Sequence, residues 1–368
     1  MAGHGERGLR FAHVDSTATI GTIDADRSRL DRLGREAAEE AVLAPGATRS
    51  AGAGRRAVPE EPDPWRTCFE RDRDRILHAT AFRRLAGKTQ VFVHPDDHQR
   101  TRLTHALEVS QVATGIARAC RLNVALTEAI ALGHDCGHGP GGHASEDALS
   151  PYVEGGFDHA PWGADVSLAG LNLCHETLDG IRNHSWSRPA PQTPEGEVVS
   201  WADRIAYVCH DFEDAVGSGV VTPAVLPEVV RDRCGERRGQ QLGAFIDAMV
   251  TTILTTGRVG MDEEAAEALA AFRACNYEHI YLRPRSVAQG RAVVDVLQAL
   301  VEHYAERPQR VPDVAASFGS SGEVPGPGSP EACRAAVAYV AGMTDRYAFG
   351  QAVAVLGWDP ARLPLGAR

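Results

Sequence analysis

The chain has 368 residues, of which 43% are hydrophobic and 24% charged. That is ordinary composition for a soluble globular protein long enough to bury one large core or two smaller ones. Its net charge of −11 argues against a protein that coats nucleic acid nonspecifically, although a local cluster of arginine and metal can still favour an anionic substrate. The opening stretch MAGHGERGLRFAHVDS has no apolar signal-peptide core, and no apolar run approaches the roughly 18 residues of a membrane-spanning helix. Eight cysteines occur, none spaced CxxC. They read as reduced, mostly buried thiols, so a cytoplasmic protein with no membrane partner is expected.

In chain order, residues 1–64 read as a flexible N-terminal arm and linker. Within it DRSRLDRLGREAAEEAVL (26–43) can form an amphipathic helix, and LAPGATRSAGAGRRAVPEEPDP (43–64) has linker composition. Residues 65–306 read as one core. TCFERDRDRILHATAFRRLAGKTQVF (67–92) spaces Phe, Ile and Leu helically among many arginines, and its RDRDR run suits a salt-bridged surface. TRLTHALEVSQVATGIARAC (101–120) places Leu103, Leu107, Val112 and Ile116 on a helical repeat. NVALTEAIALGHDCGHG (123–139) predicts a helix ending in glycines, and HASEDALSPYV (143–153) a short one.

WGADVSLAGLNLCHETLDGIRNHS (162–185) and VVSWADRIAYVCHDFEDAVGSG (198–219) each predict a helix, separated by a loop at 187–197. Two or three more helices are expected over about 240–306. Residues 307–331 form a Pro/Gly/Ser-rich loop, expected to be mobile, and one last helix over about 332–356, within a unit of 332–368, packs on the core. No strand alternation of useful length and no repeat occurs, so the fold class is all-α.

Four groups interrupt apolar helical patterns: His105, the pair His134–Asp135, and Asp203. Burying such groups without partners is costly. A lone histidine on such a helix usually satisfies itself in the core, but four groups on separate helices are harder to dismiss. Two imidazoles and two carboxylates suit a divalent metal that keeps positions open for water or phosphate.

The ordered set H…HD…D, in LTHALEV, ALGHDCGHGPGGHASE and VVSWADRIAYVCHDFEDA, resembles the HD-superfamily phosphohydrolases. More narrowly it resembles their deoxynucleotide triphosphohydrolase, dGTPase-like branch. DHQRTRLTH, GGFDH, LDGIRNHS, YEHIYLRP and YVAGMTDRYA fit the same branch, so the similarity spans roughly 65–350. The resemblance implies an HD-domain helical bundle with additional C-terminal helices. It implies metal-dependent hydrolysis of deoxynucleoside triphosphates, dGTP among them, to deoxynucleoside and inorganic triphosphate.

By position, the resemblance makes His105, His134, Asp135 and Asp203 ligands of one divalent ion per site. Mn or Mg come first; Fe, Co, Ni or Zn are also compatible. It makes His143 and Glu146 the catalytic pair, three residues apart and thus on one helical face. It assigns Arg102 and Arg204 to phosphate, His138 and His159 to the neighbourhood of the triphosphate, and Tyr207 and Asp211 to the deoxyribose. Tyr281 and Arg283 are placed within reach of the nucleotide. A homo-oligomer is implied, with nucleic acid only as an effector. Arg83, Arg84, Lys88 and Arg100 read equally as a solvated basic face or as an interface or effector site.

The chain departs from the family at Gly141, where PGGH replaces a PFGH-type turn. Losing the apolar anchor is expected to loosen the loop that carries His143. The rival readings are another HD phosphohydrolase, such as a nucleotidase, and a non-catalytic nucleotide-binding regulator. An alarmone hydrolase would show an acidic pair after the HD, where CGHGPGGH stands. A cyclic-dinucleotide hydrolase would show a GYP signature, which is absent.

Overall fold

The computed structural model describes residues 4–6, 8–19, 21, 30–93, 99–312 and 324–364. Among them a short antiparallel hairpin, β1 (His4–Glu6) with β2 (Leu9–Phe11), precedes fifteen α-helices. These are α1 (Arg32–Val42), α2 (Cys68–His78), α3 (Thr80–Arg84), α4 (Arg102–Ala119), α5 (Val124–Gly133), α6 (Ala144–Leu149), α7 (His159–Trp162) and α8 (His175–Asn183). They continue with α9 (Pro194–Gly217), α10 (Glu228–Cys234), α11 (Arg238–Thr256), α12 (Glu263–Asn276), α13 (Pro284–Glu306), α14 (Pro330–Ala341) and α15 (Asp345–Leu356). The all-α fold expected from the sequence is the fold observed. No helix among the described residues is long and apolar enough to cross a membrane. All eight cysteines are free, six of them buried.

Local chemistry sets the helix starts. Thr67 and Glu70 make a reciprocal capping box at α2, and the Asn123 side chain accepts from the Leu126 N–H to open α5. Thr193 caps α9, with Pro194 in its first turn. The centre is α4, α5 and α9. Helix α5 is apolar on nearly every side and buries Leu126, Ala129, Ile130, Ala131 and Leu132, as a central helix must. A Cβ on Gly180 would lie 2.4 Å from Ile130, and one on Gly133 would lie 2.5 Å from Ile181. Those two glycines let α5 and α8 approach closely, which sets the ends of the two helices side by side.

A second apolar cluster gathers α6, α13, α14 and α15 around Leu149, Val293, Leu297, Leu300, Val337 and Phe349. The first cluster holds α2 to α5 and α8 to α12.

Several expectations are corrected. The stretch 43–64 is no free linker. Ala47 and Ser50 are buried, Arg56 pairs with buried Asp72 at 2.6 Å, and Glu195 holds Thr48. Polar side chains, not apolar periodicity, tie it down, so composition misled. Residues 26–29 of the expected first helix lie outside the described residues, and the observed helix begins at the Asp31 cap. The segment 162–185 is not one helix: Asn172 adopts φ +51, and only α8 is a regular helix after it. Leu107 is exposed, and α4 instead buries Ala106, Val109, Val112, Ala113 and Ile116. The last expected helix is two, broken at Gly342–Thr344. Residues 313–323 of the expected mobile loop lie outside the described residues.

The arginine-rich readings also resolve. RDRDR is salt-bridged, through Arg73–Asp74 and Arg75–Glu60, but its Asp72 faces inward. Lys88 and Arg100 are no solvated face: Lys88 is buried, and Arg100 is clasped by Glu108, Glu213 and Asp214.

Buried Glu195 accepts from Thr48 N–H at 3.0 Å, Thr48 Oγ at 2.7 Å and Asn123 N–H at 2.9 Å. Replacing it with alanine strands two buried N–H groups, each costing about 1–3 kcal/mol. Glu195→Ala is therefore expected to lower unfolding stability by about 2–5 kcal/mol and to open residues 44–56 to limited proteolysis. Urea titration and protease mapping check both; an unchanged midpoint would refute the anchoring role.

Candidate metal centre

Three helices deliver the central groups. His105 lies on α4, His134 and Asp135 directly follow α5, and Asp203 sits midway along α9. His105 Nε2 lies 2.9 Å from Asp203 Oδ1 and 4.0 Å from Asp135 Oδ2. His134 Nε2 lies 3.5 Å from Asp135 Oδ1 and 3.6 Å from Asp203 Oδ1. The His134 Nδ1–H donates to the Ala131 carbonyl at 2.7 Å, which turns its Nε2 toward the two carboxylates. That Nε2 is buried with no hydrogen-bond partner.

The electrostatics point the same way. Burial opposes charge on His134, yet Asp135 and Asp203 outweigh it and hold the ring at about 9. Burial likewise opposes ionisation of Asp203, and His105 and His134 keep its carboxyl well below the usual range. The cluster therefore demands positive charge at the point where the four side chains meet. A divalent cation satisfies that demand, and the mixed imidazole and carboxylate donors fit a first-row metal.

Around this centre the structure redistributes the expected roles. Arg102, fully buried, donates from Nη1 to Asp135 Oδ2 at 2.7 Å. It holds a carboxylate while its side chain also lines the adjoining cavity. The His138 ring packs face to face on His159 at 3.7 Å, with His138 Nε2 3.1 Å from Asp135 Oδ1. His143 opens α6 and lies 3.4 Å from Arg102 Nη2 through Nδ1. Burial, then Arg102 and His159, pushes His143 down to about 4, so it is neutral near pH 7. Glu146 does not hold His143. Its Oε1 accepts from His159 Nδ1–H at 2.6 Å and from the His159 backbone N–H at 3.1 Å. Helix α7 brings His159 within reach of the carboxylate first, a contact that spacing along α6 could not reveal.

The loop from 137 to 142 is firmly held. Gly141 has φ +74, and a Cβ there would lie 2.4 Å from Val293. Its N–H donates to Asp345 Oδ1 at 2.8 Å. Asp345 Oδ2 accepts from the Thr89 N–H at 3.0 Å and from Thr89 Oγ. The Lys88 ammonium donates to the carbonyls of His138 and Ala341. Polar anchors replace the missing aromatic, so the expected loosening at Gly141 is not observed.

A cavity of about 860 Å3 runs from the cluster along α9. It is lined by His105, Asp135, His138, His143, His159 and Asp203 at one end and by Arg204, Tyr207, Asp211, Arg273 and Tyr281 further on. Arg204 stacks over the Trp186 ring at 3.4 Å. Tyr207 OH accepts from Arg273 Nε at 2.9 Å, and Tyr281 OH donates to Asp211 Oδ2 at 2.5 Å. Burial raises the Asp211 carboxyl to about 7, against that hydrogen bond. Tyr281 reaches the cavity; Arg283 instead bonds the Ile280 carbonyl and Ser286. The sequence reading missed His184, Trp186 and Arg273. For His184 the one available signal is its place in LDGIRNHS, directly after α8.

Comparison with known proteins agrees with this geometry. Residues 102–208 match the HD domain, and residues 259–352 match the phosphohydrolase-associated domain. A deoxyguanosinetriphosphate triphosphohydrolase-like protein of Caldanaerobacter subterraneus subsp. tengcongensis is 40% identical over 320 residues, covering 85% of this chain and 92% of that protein. A protein of the same name from Deinococcus deserti is 36% identical over 369 residues, covering 87% and 95%. A phosphohydrolase structure from Bacteroides thetaiotaomicron aligns with a TM-score of 0.48 at 17% identity, covering 77% of this chain and 68% of that one. With its HD cluster assembled and its relatives matched across most of their length, the chain belongs to the HD-domain phosphohydrolases, in the deoxyguanosinetriphosphate triphosphohydrolase-like family.

Proposed function

We propose that the protein hydrolyses deoxynucleoside triphosphates to deoxynucleoside and inorganic triphosphate. The observation that carries this reading is the single cavity joining the His/Asp cluster to Arg204, Arg273, Tyr207 and Asp211. Its volume suits a nucleotide-sized ligand. Asp203, Tyr207 and Asp211 are spaced by four along α9, so phosphate at the cluster leaves the sugar beside the tyrosine and the second aspartate.

A divalent cation held by His105, His134, Asp135 and Asp203 would supply neutralisation of the α-phosphate charge and a polarised water. In the reaction a water oxygen bonds to the α-phosphorus, and the bond from that phosphorus to the nucleoside 5′-oxygen breaks. The water's proton passes to His143, which is neutral near pH 7 and so has a lone pair to receive it. The departing 5′-oxygen takes up a proton. Arg102 restrains both Asp135 and His143. Glu146 acts through His159, fixing its ring. Arg204, next to Asp203 and lining the cavity, is placed to grip an outer phosphate with its planar guanidinium. The Asp211 Oδ1, buried without a partner, is free to accept from a sugar hydroxyl.

The direct test offers the four deoxynucleoside triphosphates and GTP with Mn2+ or Mg2+ and follows the phosphate products. Inorganic triphosphate is expected; monophosphate release would instead place the chain with another kind of HD phosphohydrolase. His143→Ala is expected to lower turnover about 10²–10⁴-fold, the usual worth of a proton-transfer group, with metal content by mass spectrometry unchanged. Retained turnover in that variant would sink the assignment. Asp211→Ala removes a hydrogen bond to a sugar hydroxyl worth about 1.5–3 kcal/mol if the carboxylate is charged. Its kcat/KM for the deoxynucleotide is expected to fall roughly 10–100-fold, measured by steady-state kinetics.

A further inference from the structure

Trp186 stands on the connection between α8 and α9, and three residues of α9 fix its ring. Its Nε1–H donates to the Ser200 carbonyl at 3.1 Å. The Trp201 ring meets it edge to face, with centroids 4.7 Å apart and planes at 72°. The Arg204 guanidinium carbon lies 3.4 Å from the centre of the Trp186 ring. Ser200 and Arg204 are four residues apart, so a single turn of α9 carries both the acceptor that anchors the ring and the cation stacked on it. The ring is nevertheless 47% exposed, and it lines the main cavity together with Arg204. A large aromatic side chain held so firmly and left so open is not there to fill the core.

The arginine on its face has little else to hold it. Arg204 Nε is buried without a hydrogen-bond partner, and among the described residues no carboxylate stands within ion-pair distance of the guanidinium. Other buried arginines of the chain are fixed differently: Arg102 by Asp135, Arg56 by Asp72. An ion pair fixes a guanidinium by occupying its N–H groups. A ring fixes it through its flat face, and the N–H groups, which lie in the guanidinium plane, stay open to an incoming anion.

We propose that Trp186 is a positioning residue that holds the Arg204 guanidinium flat at the cavity wall, with its N–H edge presented to a polyphosphate anion. The identity of that anion rests on the proposed function; the stack and the unpaired guanidinium do not. Lysine at this place would keep the charge but offer no plane to stack. The site is therefore built for arginine at position 204, and the requirement comes from Trp186.

Binding of inorganic triphosphate to the full chain with Mn2+, followed by calorimetry, tests this without turnover. Arg204→Ala is expected to weaken binding about 100-fold. Trp186→Leu removes the ring and is expected to weaken it about 10-fold, whereas Trp186→Phe keeps a ring face and is expected to lose less than about 3-fold. Arg204→Lys is expected to lose about 10-fold, and combining it with Trp186→Leu to add no more than about 2-fold, because each change removes the same stack. Losses that multiply to about 100-fold in the double variant show two independent side chains and overturn the proposal. So does Trp186→Leu binding as the native chain does, or a native chain with no measurable affinity for triphosphate. If thermal unfolding shows that Trp186→Leu does not fold, the conservative pair decides. Native affinity in Trp186→Phe with weakened affinity in Arg204→Lys supports the stack, and native affinity in Arg204→Lys overturns it. In steady-state kinetics the Trp186→Leu loss is expected mainly in KM, and a loss confined to kcat is the contrary result. Failure to hydrolyse deoxynucleoside triphosphates would leave the triphosphate affinities standing and would bear only on the proposed function.

Discussion

A buried carboxylate, Asp135, is the anion around which the rest of the site is arranged. Burial alone would raise its pKa, but Arg102, His134 and His138 hold it well below the usual range. Removing such a charge from water costs several kcal/mol unless partners surround it. Arg102, itself fully buried, supplies the main one at 2.7 Å. This leaves Asp203 and Glu146 as further negative charges with no second arginine in contact. A divalent cation at the cluster would offset that negative charge. An unloaded cluster of carboxylates would repel the very anion that the surrounding arginines attract.

The seam between the two apolar clusters is where this arrangement becomes rigid. The metal-facing groups belong to helices of the first cluster, while α6, which His143 opens, packs in the second. Asp345, at the start of α15, takes N–H groups from Gly141 and Thr89. Thr89 in turn bridges Thr101, the residue that caps α4 just before Arg102. One carboxylate therefore fixes the loop that carries His143 relative to the helix that carries Arg102 and His105. This explains how the chain tolerates glycine where an aromatic was expected. The anchoring has moved from side-chain packing to backbone hydrogen bonds, and a Cβ at Gly141 would have no room beside Val293.

Much of this was legible in the sequence, and unevenly so. The helix class followed from periodicity, and His105, His134, Asp135 and Asp203 stood out because polar groups interrupt apolar faces. Those four do converge. What could not be read was which partner each side chain takes across elements. Glu146 and His143 share a helical face by spacing, yet His159 arrives from α7 and claims the carboxylate. Arg102 reads as a phosphate ligand in the sequence, which does not display Asp135 pressed against it. The stretch 43–64 looked loose because its anchors, Glu195 and Asn123, are distant polar residues without any pattern of their own. Patterns report burial of apolar faces; they are silent on polar pairings between remote elements.

The hydrogen bonds behind the histidines then decide what the site can do. An imidazole with its Nδ1–H engaged by a carbonyl or carboxylate turns its Nε2 the other way, and His134, His159 and His184 are all oriented like this. His143 differs: its Nδ1 faces the Arg102 guanidinium, a group with no lone pair to accept a proton. Protonating His143 would place a second positive charge against Arg102, which, after burial, is the main reason its pKa falls to about 4. The site thus sorts its imidazoles by what stands behind them: a carbonyl turns His134 onto the carboxylates, and His143, set against a cation, stays neutral.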